Sequence, residues 1–149
     1  GPAPGDGARV VVVASGLHLH GRIAWDDLAL ARGFDAHAAY AQAKLANVMY
    51  ALALARRQPR WRVNAIHPGV VRTALHGDRP PAHAVAPTVA AGAVRALVDD
   101  PRHAATTGRY FDQRTPRRPA PLALDRPSQD RLWALTEALY RPGRGRATR

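Results

Sequence analysis

The sequence predicts an α/β fold in which helices cover a parallel β-sheet. Three observations carry this expectation. The stretch RVVVVAS at 9 to 15 is a short, continuous β-branched run bounded by glycine-rich sequence. A second apolar run, WRVNAIHPGVV, lies at 61 to 71. Between and after such runs stand segments rich in Ala, Leu and Arg with helix start and stop signals. Strands alternating with helices imply right-handed crossovers and parallel pairing.

Taken in order, RVVVVAS reads as a strand buried on both faces, as parallel-sheet strands commonly are. From Ala36 to Arg57 runs one long helix, with Asp35 placed to cap it and Pro59 just beyond its end. The second strand must stop at Pro68-Gly69. PTVAAGAVRALV, 87 to 98, begins a helix with proline at the first helical position, and TTGRYFD, 106 to 112, is a third strand. The last helix is SQDRLWALTEALY, 128 to 140, with 132, 135, 136 and 139 in helical spacing, Thr136 weakening the stripe, and Pro142-Gly143 as the stop. The sum is about three strands with flanking helices and no internal repeat.

Composition narrows the function classes. A chain of 149 residues and 16.1 kDa fits one domain, and 46% hydrophobic with 22% charged residues excludes collagen, coiled coil and wholesale disorder. No apolar run approaches the roughly 20 residues that span a bilayer, and the N-terminus shows no basic segment followed by a hydrophobic one. A soluble, cytoplasmic protein without a membrane partner is expected. Cysteine is absent, so disulfides and thiolate chemistry are excluded. The net charge of +11 invites a nucleic-acid reading, but the arginines are spread along the chain. Their densest runs are QRTPRRP and RPGRGRATR, and residues 141–149 read as a basic disordered tail. No specific nucleic-acid partner is expected. His18 and His20 form an H-x-H pair, yet no spacing among the seven histidines resembles a metal cage, so loop and helix-end positions are expected. Trp25, Trp61 and Trp133 read as packing anchors.

The chemistry is carried by a pair on the long helix. Of 22 basic residues one alone is lysine, Lys44, four residues after Tyr40. That spacing places both side chains on one helix face, one turn apart. An ammonium beside a phenol favours the phenolate, making tyrosine a usable proton donor and acceptor. Lysine, unlike arginine, is a compact cation that also bonds sugar hydroxyls. Ser15 stands at the C-terminal end of the first strand, where open parallel sheets place their ligand sites; by itself a serine there forms turns. Pro68-Gly69 turns the backbone at the same sheet edge.

The blocks VVVVASGLHLHGRIAWDDL, YAQAKLANVMYALALARR, VNAIHPGVVRTAL and TGRYFD followed by PLALDRPSQDRLWAL resemble, in order, successive blocks of the short-chain dehydrogenase/reductase family. They are most similar to its retinol-dehydrogenase-like and WW-domain-oxidoreductase-like branch, from Arg9 to Tyr140. The resemblance implies a Rossmann-type doubly wound parallel sheet, of which this chain holds the C-terminal half. Residues 1–140 would form a partial NAD(P)-binding domain. The implied reaction is hydride transfer between NAD or NADP and a small-molecule alcohol or carbonyl substrate. Tyr40 would be the general acid/base. Lys44 would tune it and bond the nicotinamide ribose, and Ser15 would hold and polarise the carbonyl oxygen. Pro68, Gly69 and Val71 would line the nicotinamide, with Thr73 bonding its carboxamide or the adjacent phosphate. Asn47 is left as a helix-packing residue. Relatives often associate through the tyrosine-lysine helix, which makes a homo-oligomer through it the expected assembly.

The departures from the family pattern also predict. The glycine-rich turn after a first strand, the NNAG-like segment and the helix supplying a catalytic asparagine have no counterpart, since GPAPGDG precedes the first strand. The opening within a Pro/Gly loop and without methionine suggests a fragment of something longer. An unpaired, strongly apolar edge on the first strand, poor dinucleotide binding by the chain alone and, with it, an inactive truncated chain are expected. Between Thr73 and Pro87, ALHGDRPPAHAVA is short and rich in Pro and His where relatives carry a longer lid, so the pocket should be open. Two other readings are a catalytically silent remnant or protein-interaction module, and a basic nucleic-acid binder.

Overall fold

The computed structural model describes residues 5–73 and 81–140, the side chain of Tyr140 apart. The basic tail expected at 141–149, and residues 74–80 of the segment before Pro87, lie outside the described residues.

The described sheet has four strands in the order β1-β2-β3-β4: β1 (Arg9–Val13), β2 (Arg62–His67), β3 (Arg109–Asp112) and β4 (Thr115–Arg117). The first three are parallel, with Val11 opposite Asn64 and Asn64 opposite Arg109, while β4 runs antiparallel to β3. Around them lie α1 (Ala36–Arg57), α2 (Pro87–Asp99), α3 (Pro121–Leu124) and α4 (Arg126–Tyr140), with 3₁₀ turns at Gly16–His20 and Pro101–His103. This is the Rossmann-like arrangement the alternation of elements predicts.

Helix α1 has the predicted bounds, and the Asp35 carboxylate accepts from the Ala38 amide at 2.7 Å, as an N-cap should. It buries Leu45, Val48, Met49 and Leu52 against β2, β3, α3 and α4 in the larger core. On the opposite face α2 closes a smaller core of Ile66, Ala93, Leu97 and Phe111. The α1–α4 contact is finished by Tyr50 stacked on Trp133 at 5.1 Å and by Arg56 and Arg57 on Asp130. Asn64 sits buried in β2 because both ends of its carboxamide have a partner: it donates to the Thr106 carbonyl and accepts from the Arg109 amide, starting β3.

Three expectations are corrected. The sheet has four strands, not three, because Asp112 to Thr115 turns the chain back into β4. β1 is half-buried rather than buried on both faces, with Val13 45% exposed, since only its β2 side is paired among the described residues. The stripe at 132, 135, 136 and 139 is the inward face of α4 only in part: Leu132 is buried and Leu135 and Thr136 are half-buried, but Leu139 is 78% exposed, and Gln129 and Trp133 join the inward side. No described helix is long and apolar enough to cross a membrane.

Candidate active site

Two loops and the N-terminal half of α1 meet beyond the C-terminal ends of β1 and β2. The first carries Ser15. Its backbone follows the end of β1, where the Ala14 amide still donates to the Ile66 carbonyl at 2.7 Å. Ser15 is extended, caps the following 3₁₀ turn, and its Oγ accepts from the Leu17 amide at 3.3 Å. That is the turn-forming role, and it leaves the hydroxyl proton free to be donated elsewhere. The turn then runs against α1 at Gly21, where a Cβ would stand 2.5 Å from the Ala41 carbonyl oxygen and 2.9 Å from Leu45. Only glycine permits that approach, and it sets the distance between the Ser15 turn and the helix. Gln42 fastens the rest of the loop, accepting from the Ala24 amide and donating to the Leu28 carbonyl.

The second component is the exposed N-terminal half of α1. Tyr40 is 43% exposed, and the Lys44 ammonium lies 5.3 Å from the centre of its ring, within reach of the ring face. No described carboxylate pairs with Lys44. Asn47 is more than a packing residue, because its side chain donates to the Val13 carbonyl and ties α1 to the end of β1.

The third is the turn after β2. Gly69 adopts φ +95°, a conformation that side chains disfavour, and a Cβ there would meet Val85 at 3.1 Å. Val71 bridges to Val85, with hydrogen bonds from Val85 to Val70 and from Arg72 to Val85, so residues 69 to 73 form a fixed wall.

These three components line one cleft of about 680 Å³, to which Ser15, Tyr40, Lys44, Pro68, Gly69, Val71 and Thr73 all contribute. Sequence reasoning missed several other lining residues, among them His37, His67, Val13, Leu17 and Pro81. His37 had a signal, three residues before Tyr40 on the same helical stripe. His67 had one too, since it directly precedes Pro68. Burial lowers the His67 pKa, with the Asp112 carboxylate opposing the shift. Tyr110, in the core behind the site, is pushed up by burial to about 12 and stays a neutral phenol. His18 stands in the last turn of a 3₁₀ helix, among the loop and helix-end positions expected of the histidines, and it is fully buried there. Among the described residues no three His, Cys, Asp or Glu side chains converge as a metal site.

No family model matches the chain. It is 34% identical over 151 residues to retinol dehydrogenase 13 of Homo sapiens, covering 85% of this chain and 44% of that protein. To human retinol dehydrogenase 14 it is 31% identical over 147 residues, covering 89% and 44%. Among solved structures it resembles an uncharacterized protein from Mycobacterium paratuberculosis with a TM-score of 0.65 at 29% identity, over 89% of this chain and 50% of that one. A short-chain dehydrogenase/reductase variant from Serratia marcescens matches with a TM-score of 0.54 at 25% identity, over 72% and 45%. With the sheet and the cleft at its strand ends, these similarities show that the chain belongs to the short-chain dehydrogenase/reductase family, a family of oxidoreductases. Its similarities place it in the retinol-dehydrogenase-like branch. The chain spans about half the length of the curated relatives it matches.

Proposed function

We propose that this cleft serves NAD- or NADP-dependent interconversion of an alcohol and a carbonyl compound. The observation that carries the reading is the convergence of Ser15, Tyr40 and Lys44, from two separate elements, on one cleft with the Pro68 to Thr73 wall. The residues present fit the nicotinamide end of the cofactor. The cleft has ligand-site dimensions, and its described lining holds a lysine and no carboxylate. Lys44, Pro68, Gly69, Val71 and Thr73 would hold that end. When bound, the nicotinamide supplies or accepts the hydride.

The chain's own residues supply the proton chemistry. In the reductive direction the Ser15 hydroxyl, already accepting from Leu17, turns its proton to the substrate oxygen and polarises the carbonyl. Tyr40 delivers a proton to that oxygen, and the Lys44 ammonium opposes the negative charge left on the phenol. Oxidation reverses each step. Apart from His37 and His67, the remaining wall is apolar, with Val13, Leu17, Val70 and Pro81, which favours an alcohol or aldehyde on an apolar body.

The outer side of β1 has no paired strand among the described residues. That edge supports two further points. The chain alone should bind dinucleotide more weakly than micromolar, which titration with NADPH and NADH checks. It also favours a second reading, a protein-interaction module that no longer turns over. A redox assay with a carbonyl panel separates the two. Substituting Tyr40→Phe should lower any turnover by about 10²-fold or more, and unchanged turnover would refute the assigned role.

A further inference from the structure

We propose that His18 is the positioning residue of the site: a buried neutral imidazole that struts the Ser15 turn against the start of α3 and so fixes the direction of the Ser15 hydroxyl. The inference rests on the reading of Ser15 as the group that meets the substrate oxygen.

The ring is fully buried, three residues after Ser15, and leans on the Tyr110 ring at 4.5 Å. The Ser15 carbonyl accepts twice from it, from the His18 amide at 3.1 Å and from Nδ1 at 2.7 Å. Because a carbonyl only accepts, Nδ1 carries the proton. On the far side Nε2 lies 3.2 Å from the Ala120 amide, which only donates, so Nε2 offers its lone pair. One tautomer satisfies both ends, the neutral Nδ1–H form. The strut joins positions 102 residues apart. It holds the carbonyl of the residue whose Oγ lines the cleft, and a carbonyl held at both lone pairs fixes the backbone from which that Oγ projects.

Protonation would defeat this arrangement, since an imidazolium points N–H at the Ala120 N–H. The titratable groups facing the ring are His20 on its own turn, His67 from β2 and Tyr110 from β3; none is a carboxylate that would hold a cation there. Burial is the main cause that keeps the His18 pKa below the ordinary histidine value, with His67 and His20 adding to it and the Ser15 carbonyl opposing.

The test begins with the unmodified chain. Nitrogen-15 NMR at neutral pH should show His18 as the neutral Nδ1–H tautomer with a protected Ala120 amide; an Nε2–H or charged ring overturns the proposal. His18→Phe keeps a ring and removes both side-chain bonds. In that variant the Ala120 and Leu17 amides should exchange faster, and unchanged exchange would again overturn the proposal. In the turnover assay His18→Phe should lower kcat by about 10²-fold while KM moves by less than about 3-fold. Adding it to Ser15→Ala should cost little more than Ser15→Ala alone, whereas fully additive losses would show that His18 acts independently of Ser15. Turnover retained in full by Tyr40→Phe would sink the functional reading and leave the strut standing, and where the unmodified chain shows no turnover the tautomer and amide measurements still decide the strut.

Discussion

Gly21→Ala is a one-carbon change with a consequence that can be worked from the geometry. Gly21 has φ −69°, so alanine fits the backbone and no conformational strain enters. The new Cβ would stand 2.5 Å from the Ala41 carbonyl oxygen and 2.9 Å from the Leu45 Cβ, both on rigid helix. The turn must retreat by about half an ångström merely to reach 3.0 Å, and more to reach ordinary contact. Overpacking of this kind costs about 1–3 kcal/mol, and each kcal/mol lowers Tm by about 2–4 °C in a domain of this size. Because the same turn carries Ser15 toward α1, the site should suffer beyond its share of stability. Displacement approaching 1 Å at a reacting group costs about 10²-fold in rate. Thermal denaturation and turnover well below Tm measure the two effects separately. A Gly21→Ala variant with unchanged Tm would show that the turn does not press on the helix. A variant that loses stability but keeps full turnover would show that this contact does not set the position of Ser15.

Phe111 fills the smaller core between the sheet and α2, so Phe111→Ala should lose about 3–5 kcal/mol in urea denaturation. Asp35→Ala removes the N-cap of the helix carrying Tyr40 and Lys44 and should cost about 1 kcal/mol, read as a lower denaturation midpoint; Asp35→Asn should restore most of it. Stability should also fall on acidification in the histidine range. His18 and His67 are both held below the ordinary value of 6.5 in the folded state, so the unfolded chain binds protons first. Their contribution is present above about pH 6.5 and is lost as pH falls through their folded-state values. Asp27, Asp125 and Asp130 are lowered by their hydrogen bonds, Asp130 through Arg56 foremost, so their losses come only at lower pH, below the ordinary carboxylate value of 3.8. Urea midpoints should therefore drop between pH 8 and pH 5, and a rise over that interval would contradict the assignment.

The parts of the fold that were legible in the sequence are those specified locally. Helix α1 announces itself through the Asp35 cap and an Ala- and Leu-rich run, and β2 ends at His67 because Pro68 cannot donate to a ladder. Strand β4 was not legible, because Pro116 at its centre and the neighbouring arginines read as a solvated charged stretch. Proline is tolerated there since β4 is the last strand of the sheet. The β-branched run of β1 announces a strand, but its burial depends on neighbours that local sequence does not specify. At the site, the i,i+4 spacing of Tyr40 and Lys44 was visible in the residues themselves, whereas the convergence of Ser15 with them was legible only through the family resemblance, because it depends on Gly21 and Gln42 docking the loop on α1. The burial of His18 was invisible for the same reason: its partner Ala120 has no sequence relation to it.

The most direct measurement is deuterium transfer from 4-deuterated NADPH or NADH to a panel of apolar aldehydes and ketones, at millimolar cofactor, by the unmodified chain and by Tyr40→Phe. The account predicts that any deuterated alcohol the unmodified chain forms at this cofactor concentration falls to the enzyme-free blank in the variant. Equal label from both proteins would remove Tyr40 from the chemistry, and with it the claim that this cleft moves a proton and a hydride together.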